Sequence, residues 1–129
     1  MRYLAAEEIL VIHSKIVEKT GGAHGVRDVG LLASSASRPQ MEFGGKELYK
    51  GLFAKAGAYI DSLAKHHVFI DGNKRTALSV AGVFLALNGY QTTFPIKASE
   101  RFVLAAAQRQ RTLEEIATWL KTCSRKMRK

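Results

Sequence analysis

The 129-residue chain has one cysteine, two prolines and one tryptophan. A lone thiol, Cys123, forms no internal disulfide and lacks the partners for a zinc site, which sets redox and metal-thiolate chemistry aside. Acids are scarce as well, 11 against 20 Lys and Arg, for a formal charge of +9. Long apolar runs are missing. The longest nearly apolar stretch, Ala77 to Leu87, is too short to cross a bilayer, and the opening MRYLAAEEILVIH carries two glutamates rather than a basic, cleavable leader. No membrane association and a cytoplasmic location are therefore expected. Repeats, linkers and low-complexity tracts are also lacking.

What is present suits one small globular unit. Hydrophobic residues make up 47% and charged residues 24%, enough apolar material for one core, so a single domain over 1–129 is expected. The positive excess is uneven. The segment 121–129 holds five cations and no acid, and the rest carries 15 cations against 11 acids, a residual +4. Such a basic C-terminal tail either touches nucleic acid by neutralising phosphates or frays into solvent.

Periodicity predicts an all-α chain. Ile9, Ile12, Ile16 and Val17 recur at helical spacing before a Gly21-Gly22 stop, with His13 on or beside that stripe as a packed residue. Asp28 caps a short helix through about Ala36, ended by Pro39. Gly44-Gly45, beside Met41 and Phe43, tips either a small hairpin flap near 40–46 or an ordinary turn. Leu52, Ala56, Tyr59, Ile60 and Leu63 fall on one face of a helix from about Lys50 to Lys65. The segment 73–88 is polar only in its first turn and apolar all round afterwards, the pattern of a helix enclosed on every side. Tyr90 to Phe94 reads as extended, Ala98 to Gln108 as helical, and Thr112 with Glu115 as a capping box opening the last helix. The expected architecture is a compact bundle around the buried 73–88 helix.

Chemistry concentrates where that helix begins. His66-His67-Val68-Phe69-Ile70-Asp71-Gly72-Asn73-Lys74-Arg75-Thr76 gathers polar and charged side chains around one helix N-terminus, which a core helix does not need. First-turn amides are unpaired and carry the positive end of the dipole, and Gly72 lets an anion approach the backbone, so phosphate is the natural guest. Lys74 and Arg75 add an ammonium and a bidentate fork. Asp71 either holds a magnesium ion that bridges phosphate oxygens or caps the helix. His67 either accepts a proton from an attacking hydroxyl or bonds a loop carbonyl. Val68, Phe69 and Ile70 read as the anchor of the loop.

The run from His67 to Arg75 resembles the signature of the Fic family: histidine, any, phenylalanine, any, acid, small, asparagine, any, arginine. Gly21 to Leu31, with Arg38-Pro39, resembles the death-on-curing (Doc) toxin branch of that superfamily, and the chain has that branch's length. The resemblance implies that His67 is the general base activating a target hydroxyl and that Asp71 binds Mg2+. It implies that Gly72, Asn73, Lys74 and Arg75 hold the phosphates of ATP, that Phe69 is a core anchor, and that the segment before Lys50 is a flap aligning the target. Adenylyl-transferring members have glycine between the asparagine and arginine; Lys74 stands there, as in Doc toxins, where it goes with transfer of the terminal phosphoryl group to a threonine or serine of elongation factor Tu, arresting translation. The family's self-inhibiting motif finds only Ser14 to Glu18, followed by Lys19 rather than glycine or asparagine, so Glu18 reads as a surface charge. The resemblance supplies an external brake instead, a Phd-like antitoxin whose disordered tail folds on the toxin of a type II toxin-antitoxin pair. The alternatives are an AMP transferase, a basic nucleic-acid-binding module, and a ribonuclease toxin using His66 and His67 as acid and base.

Overall fold

The computed structural model describes residues 1–128 and is a helical bundle with two small antiparallel strand pairs. Helix α1 (Ala6–Thr20) ends at Gly21, whose left-handed φ of 79° a side chain would resist. It buries Ile9, His13 and Val17, one residue per turn of the inward stripe. Helix α2 (Val29–Ser37) starts at Asp28, whose carboxylate accepts the Leu31 N–H at 3.0 Å. A 3-10 turn, Arg38–Gln40, carries Pro39 at its start. Strands β1 (Glu42–Phe43) and β2 (Lys46–Glu47) then pair across Gly44 and Gly45, with φ of 60° and 79°. Two successive positive φ values make the turn whose twist matches a tight hairpin, so the hairpin expected near 40–46 is formed.

Helix α3 (Leu52–Lys65) is the most enclosed element, with every residue from Lys55 to Ala64 buried. At Gly57 it comes so close to the last helix that an added Cβ would lie 3.5 Å from the Ala117 nitrogen. Helix α4 (Asn73–Leu87) packs beside it, burying Thr76, Ala77, Val80, Ala81, Phe84 and Leu85. The expected helix is present, but it is not enclosed on every side: Val83 is 38% exposed, and the covered centre is shared with α3. Apolar periodicity alone does not separate a helix with one dry face from one with four. Tyr59, fully buried on α3, accepts the Leu4 N–H at 2.9 Å and donates to the Leu4 carbonyl at 3.3 Å, tying the N-terminal segment to the core. Burial pushes its phenol up to about 12.

After β3 (Tyr90–Thr92) come α5 (Ile96–Ala107) and α6 (Leu113–Thr122). The capping box on α6 is formed: Thr112 Oγ1 accepts the Glu115 N–H at 3.1 Å, and Glu115 Oε1 accepts the Thr112 N–H at 2.9 Å. The basic tail departs from expectation. Rather than fraying, Ser124–Lys126 forms a fourth strand, β4, antiparallel to β3, and the Met127 N–H donates to the Gly89 carbonyl at 2.9 Å. Residue 129 lies outside the described residues. Among those described, no helix is long and apolar enough to cross a membrane.

Candidate functional site

The segment from His66 to Gly72 leaves α3 and enters α4 as a tight loop, and its shape follows from which side chains are apolar. Val68 and Phe69 are buried to 0% and 1% exposure, and removing a side chain of that size from water contributes about 1.5–3 kcal/mol. Phe69 is thus the anchor the sequence implied. Ile70 is not: it is 59% exposed and lies over Gly25, where an added Cβ would sit 2.7 Å from its Cδ1. The two inserted residues throw their neighbours outward, leaving His67 and Asp71 exposed on either side.

The loop is held as a short backbone ladder. The chain near Val26 runs antiparallel to it, bridging Phe69, and the Ile70 N–H donates to the Gly25 carbonyl at 3.1 Å. Asn73 closes the other side: its amide accepts the Phe69 N–H and donates to the Phe69 carbonyl, both at 2.9 Å. The Asn73 side chain is therefore engaged in shaping the loop. The first helical hydrogen bond of α4 runs from the Thr76 N–H to the Gly72 carbonyl at 3.0 Å. The amides of Asn73, Lys74 and Arg75 precede it and have no hydrogen-bond partner among the described residues, at the positive end of the helix. Gly72, with φ of 75°, makes the turn into them.

These amides open on a cleft of about 470 Å³. One wall is Asp71, Gly72, Asn73, Lys74 and Arg75; the other is Val17, Thr20, Gly21 and Gly22 at the end of α1. The expected phosphate and metal residues are thus brought together, and His67 is not in that wall but at the start of the loop. The Asp71 carboxylate accepts the Gly72 N–H at 2.9 Å and the Ala23 N–H at 3.3 Å. It therefore ties the loop to the glycine turn rather than capping the first turn of α4. Among the described residues no group of three or more His, Cys, Asp or Glu gathers to hold a metal; a single carboxylate is a set magnesium can use where phosphate and water supply the remaining ligands.

The two histidines differ. His67 is exposed, with left-handed φ of 47°, a conformation costing a non-glycine residue about 1–2 kcal/mol. His66 is half-buried, and burial, then the nearby Arg38 guanidinium, hold its imidazole below the ordinary histidine value. Three residues serve the loop in ways the sequence did not indicate. Arg27 donates to the carbonyls of His67 at 2.6 Å and His66 at 2.8 Å. The buried His13 donates from Nε2 to the Asp71 carbonyl at 2.7 Å. Gly22 approaches the Asp71 carboxylate so closely that an added Cβ would meet Oδ2 at 2.7 Å. The available signal was the polar, glycine-rich segment 21–28, whose role depends on contacts some forty residues away.

Behind the site, the hairpin is tethered to α3. Lys55, buried on that helix, donates to the Tyr49 carbonyl and pairs with Glu47 at 3.2 Å. Arg38 bridges Tyr49 OH at 2.7 Å and Asp61 at 2.7 Å.

Comparison with known proteins adds the following. The Fic/DOC family model matches residues 3–85. Toxin Doc of Mycolicibacterium smegmatis is 39% identical over 120 residues, covering 92% of this chain and 90% of that protein. Protein kinase doc of Escherichia phage P1 is 35% identical over 91 residues, covering 70% of this chain and 71% of that protein.

Proposed function

The chain belongs to the Fic/DOC family, and from that premise we propose that it is a toxin of the Doc kind that moves the terminal phosphoryl group of ATP onto a threonine or serine hydroxyl of a translation factor such as elongation factor Tu. The observation that carries this reading is the joining of Asp71, Lys74, Arg75 and three free helix amides in one cleft. Phosphoryl transfer asks chiefly for positioning and charge neutralisation, and that cleft offers both. A relative named as a protein kinase supports the same chemistry.

In this scheme the phosphates lie against the amides of Asn73, Lys74 and Arg75, with Gly72 allowing close approach. The Lys74 ammonium and Arg75 guanidinium neutralise the charge that builds on the transferred group. Asp71 would hold Mg2+, which would supply charge neutralisation to the phosphates. His67 takes the proton of the attacking hydroxyl as the new bond to the γ-phosphorus forms. The bond from that phosphorus to the β–γ bridging oxygen breaks, and ADP leaves with its electron pair. Lys74, in place of glycine, favours this outcome over AMP transfer.

An unregulated activity of this kind needs a brake. Glu18 is exposed on α1 outside the cleft wall, and among the described residues Arg75 pairs with no carboxylate. We assign the brake to a separate Phd-like antitoxin whose tail folds on binding, and the site of action to the cytoplasm. The test is intact-mass analysis of a translation extract treated with the chain, ATP and Mg2+. A single phosphoryl mass gain on one protein, lost with His67→Ala, is expected. An AMP mass gain instead, or equal modification by wild type and His67→Ala, overturns the reading.

A further inference from the structure

We propose that Arg27 is a positioning residue for His67, fixing the backbone from which the imidazole projects. This rests on the reading of His67 as the base. Its Nε–H donates to the His67 carbonyl at 2.6 Å and an Nη2–H to the His66 carbonyl at 2.8 Å, while its own backbone N–H donates to the Val68 carbonyl at 2.8 Å. One residue thus satisfies three consecutive carbonyls around the base.

The arrangement answers a physical need. His67 sits in a left-handed conformation that a non-glycine residue leaves readily. The carbonyls of His66 and His67 converge on one guanidinium, and only a planar fork with donors in fixed geometry reaches both. A relaxed His67 backbone would swing the imidazole, and a displacement of about 1 Å between a base and its reacting hydroxyl costs on the order of 100-fold in rate. Arg27 lies outside the wall of the phosphate cleft. It is exposed, so its loss leaves no buried cavity. The alternative role, mere stapling of the loop for stability, predicts a change in melting rather than in the chemical step.

The experiment compares wild type, Arg27→Ala and Arg27→Lys by two readouts. Hydrogen exchange of the 66–70 amides measures the hold itself, independent of any activity. It should accelerate about tenfold or more in Arg27→Ala, with α3 and α4 unchanged and an intermediate value for lysine, which keeps the charge without the fork. Steady-state phosphorylation should then show kcat lowered about 10- to 100-fold, with the KM for ATP within about threefold of wild type and no displacement of the pH profile. Unchanged exchange overturns the proposal, as does faster exchange with unchanged kcat. If wild type itself transfers nothing, the assignment of phosphoryl transfer fails, and exchange alone decides whether Arg27 holds His67.

Discussion

The ring of His13 lies flat on Phe69, centroids 3.8 Å apart with planes 7° from parallel, and from there its Nε2–H reaches the Asp71 carbonyl at 2.7 Å. One buried side chain of α1 thus supports both the anchor of the loop and the backbone of its carboxylate. Replacing it with phenylalanine keeps a ring against Phe69 and removes the donor. The exposed Asp71 peptide can then rotate toward water, so the cost falls on loop geometry rather than on folding. Nucleotide–magnesium affinity is expected to drop about tenfold, equivalent to about 1.4 kcal/mol, with melting lowered by only a few degrees. Titration calorimetry checks this; unchanged affinity would remove His13 from the site.

Gly22 serves Asp71 by having no side chain. An alanine Cβ there would stand 2.7 Å from Oδ2 and 3.3 Å from Cγ of that carboxylate, and the carboxylate, not the packed backbone, is what can give way. Gly22→Ala should therefore raise the magnesium concentration for half-saturation about tenfold, as outer-sphere changes commonly do, while denaturant stability stays within about 0.5 kcal/mol. Magnesium titration of nucleotide binding separates the two quantities. A stability loss with normal magnesium dependence would contradict this role.

Local signals were well written in the sequence, and distant ones were not. Asp28, Gly21 and the Thr112–Glu115 box act within one turn of themselves, so their spacing reveals their task. The turn into α4 was legible for the same reason, because Gly72 to Arg75 forms a helix start whatever surrounds it. Asn73 shows the limit: a motif position names the residue, yet only the fold shows its amide clasping Phe69. Lys55 carries no local signal of its task, yet it is buried and ties α3 to Tyr49 and Glu47 of the hairpin segment. Strand β4 was missed because Ser-Arg-Lys has no alternating apolar pattern; it forms against Tyr90–Thr92, more than thirty residues away.

Asp61 gives the fold a specific acid sensitivity. Burial favours its neutral form, but hydrogen bonds from Lys65 at 2.5 Å and Arg38 at 2.7 Å outweigh this and hold its carboxyl below the ordinary range. A group depressed in the folded state stabilises above its unfolded value, about 3.9, and that contribution is lost as pH falls through the folded value. Asp61→Asn should thus cost about 2 kcal/mol at pH 7, and the gap from wild type should narrow steadily below about pH 4. Urea unfolding across that range tests it. A gap that stays constant to low pH would mean the charge is not what stabilises.

Lys74 occupies the second position of α4, exposed in the cleft wall, so glycine there removes a cation at a cost to helix stability of about 1 kcal/mol or less. The chemistry should change far more than the fold. With one positive centre gone, the proposed mechanism leaves the charge on the transferred phosphoryl group to Arg75, the helix amides and whatever cation Asp71 would hold. Removing one preorganised electrostatic partner commonly slows such a step about 100-fold. The space vacated beside the amides also relaxes which phosphate can seat there, so the share of adenylylated product should rise as phosphorylated product falls. Intact-mass analysis of the target reads both at once. A variant that still phosphorylates within about twofold of wild type would show that the ammonium neither neutralises the transferred group nor selects it.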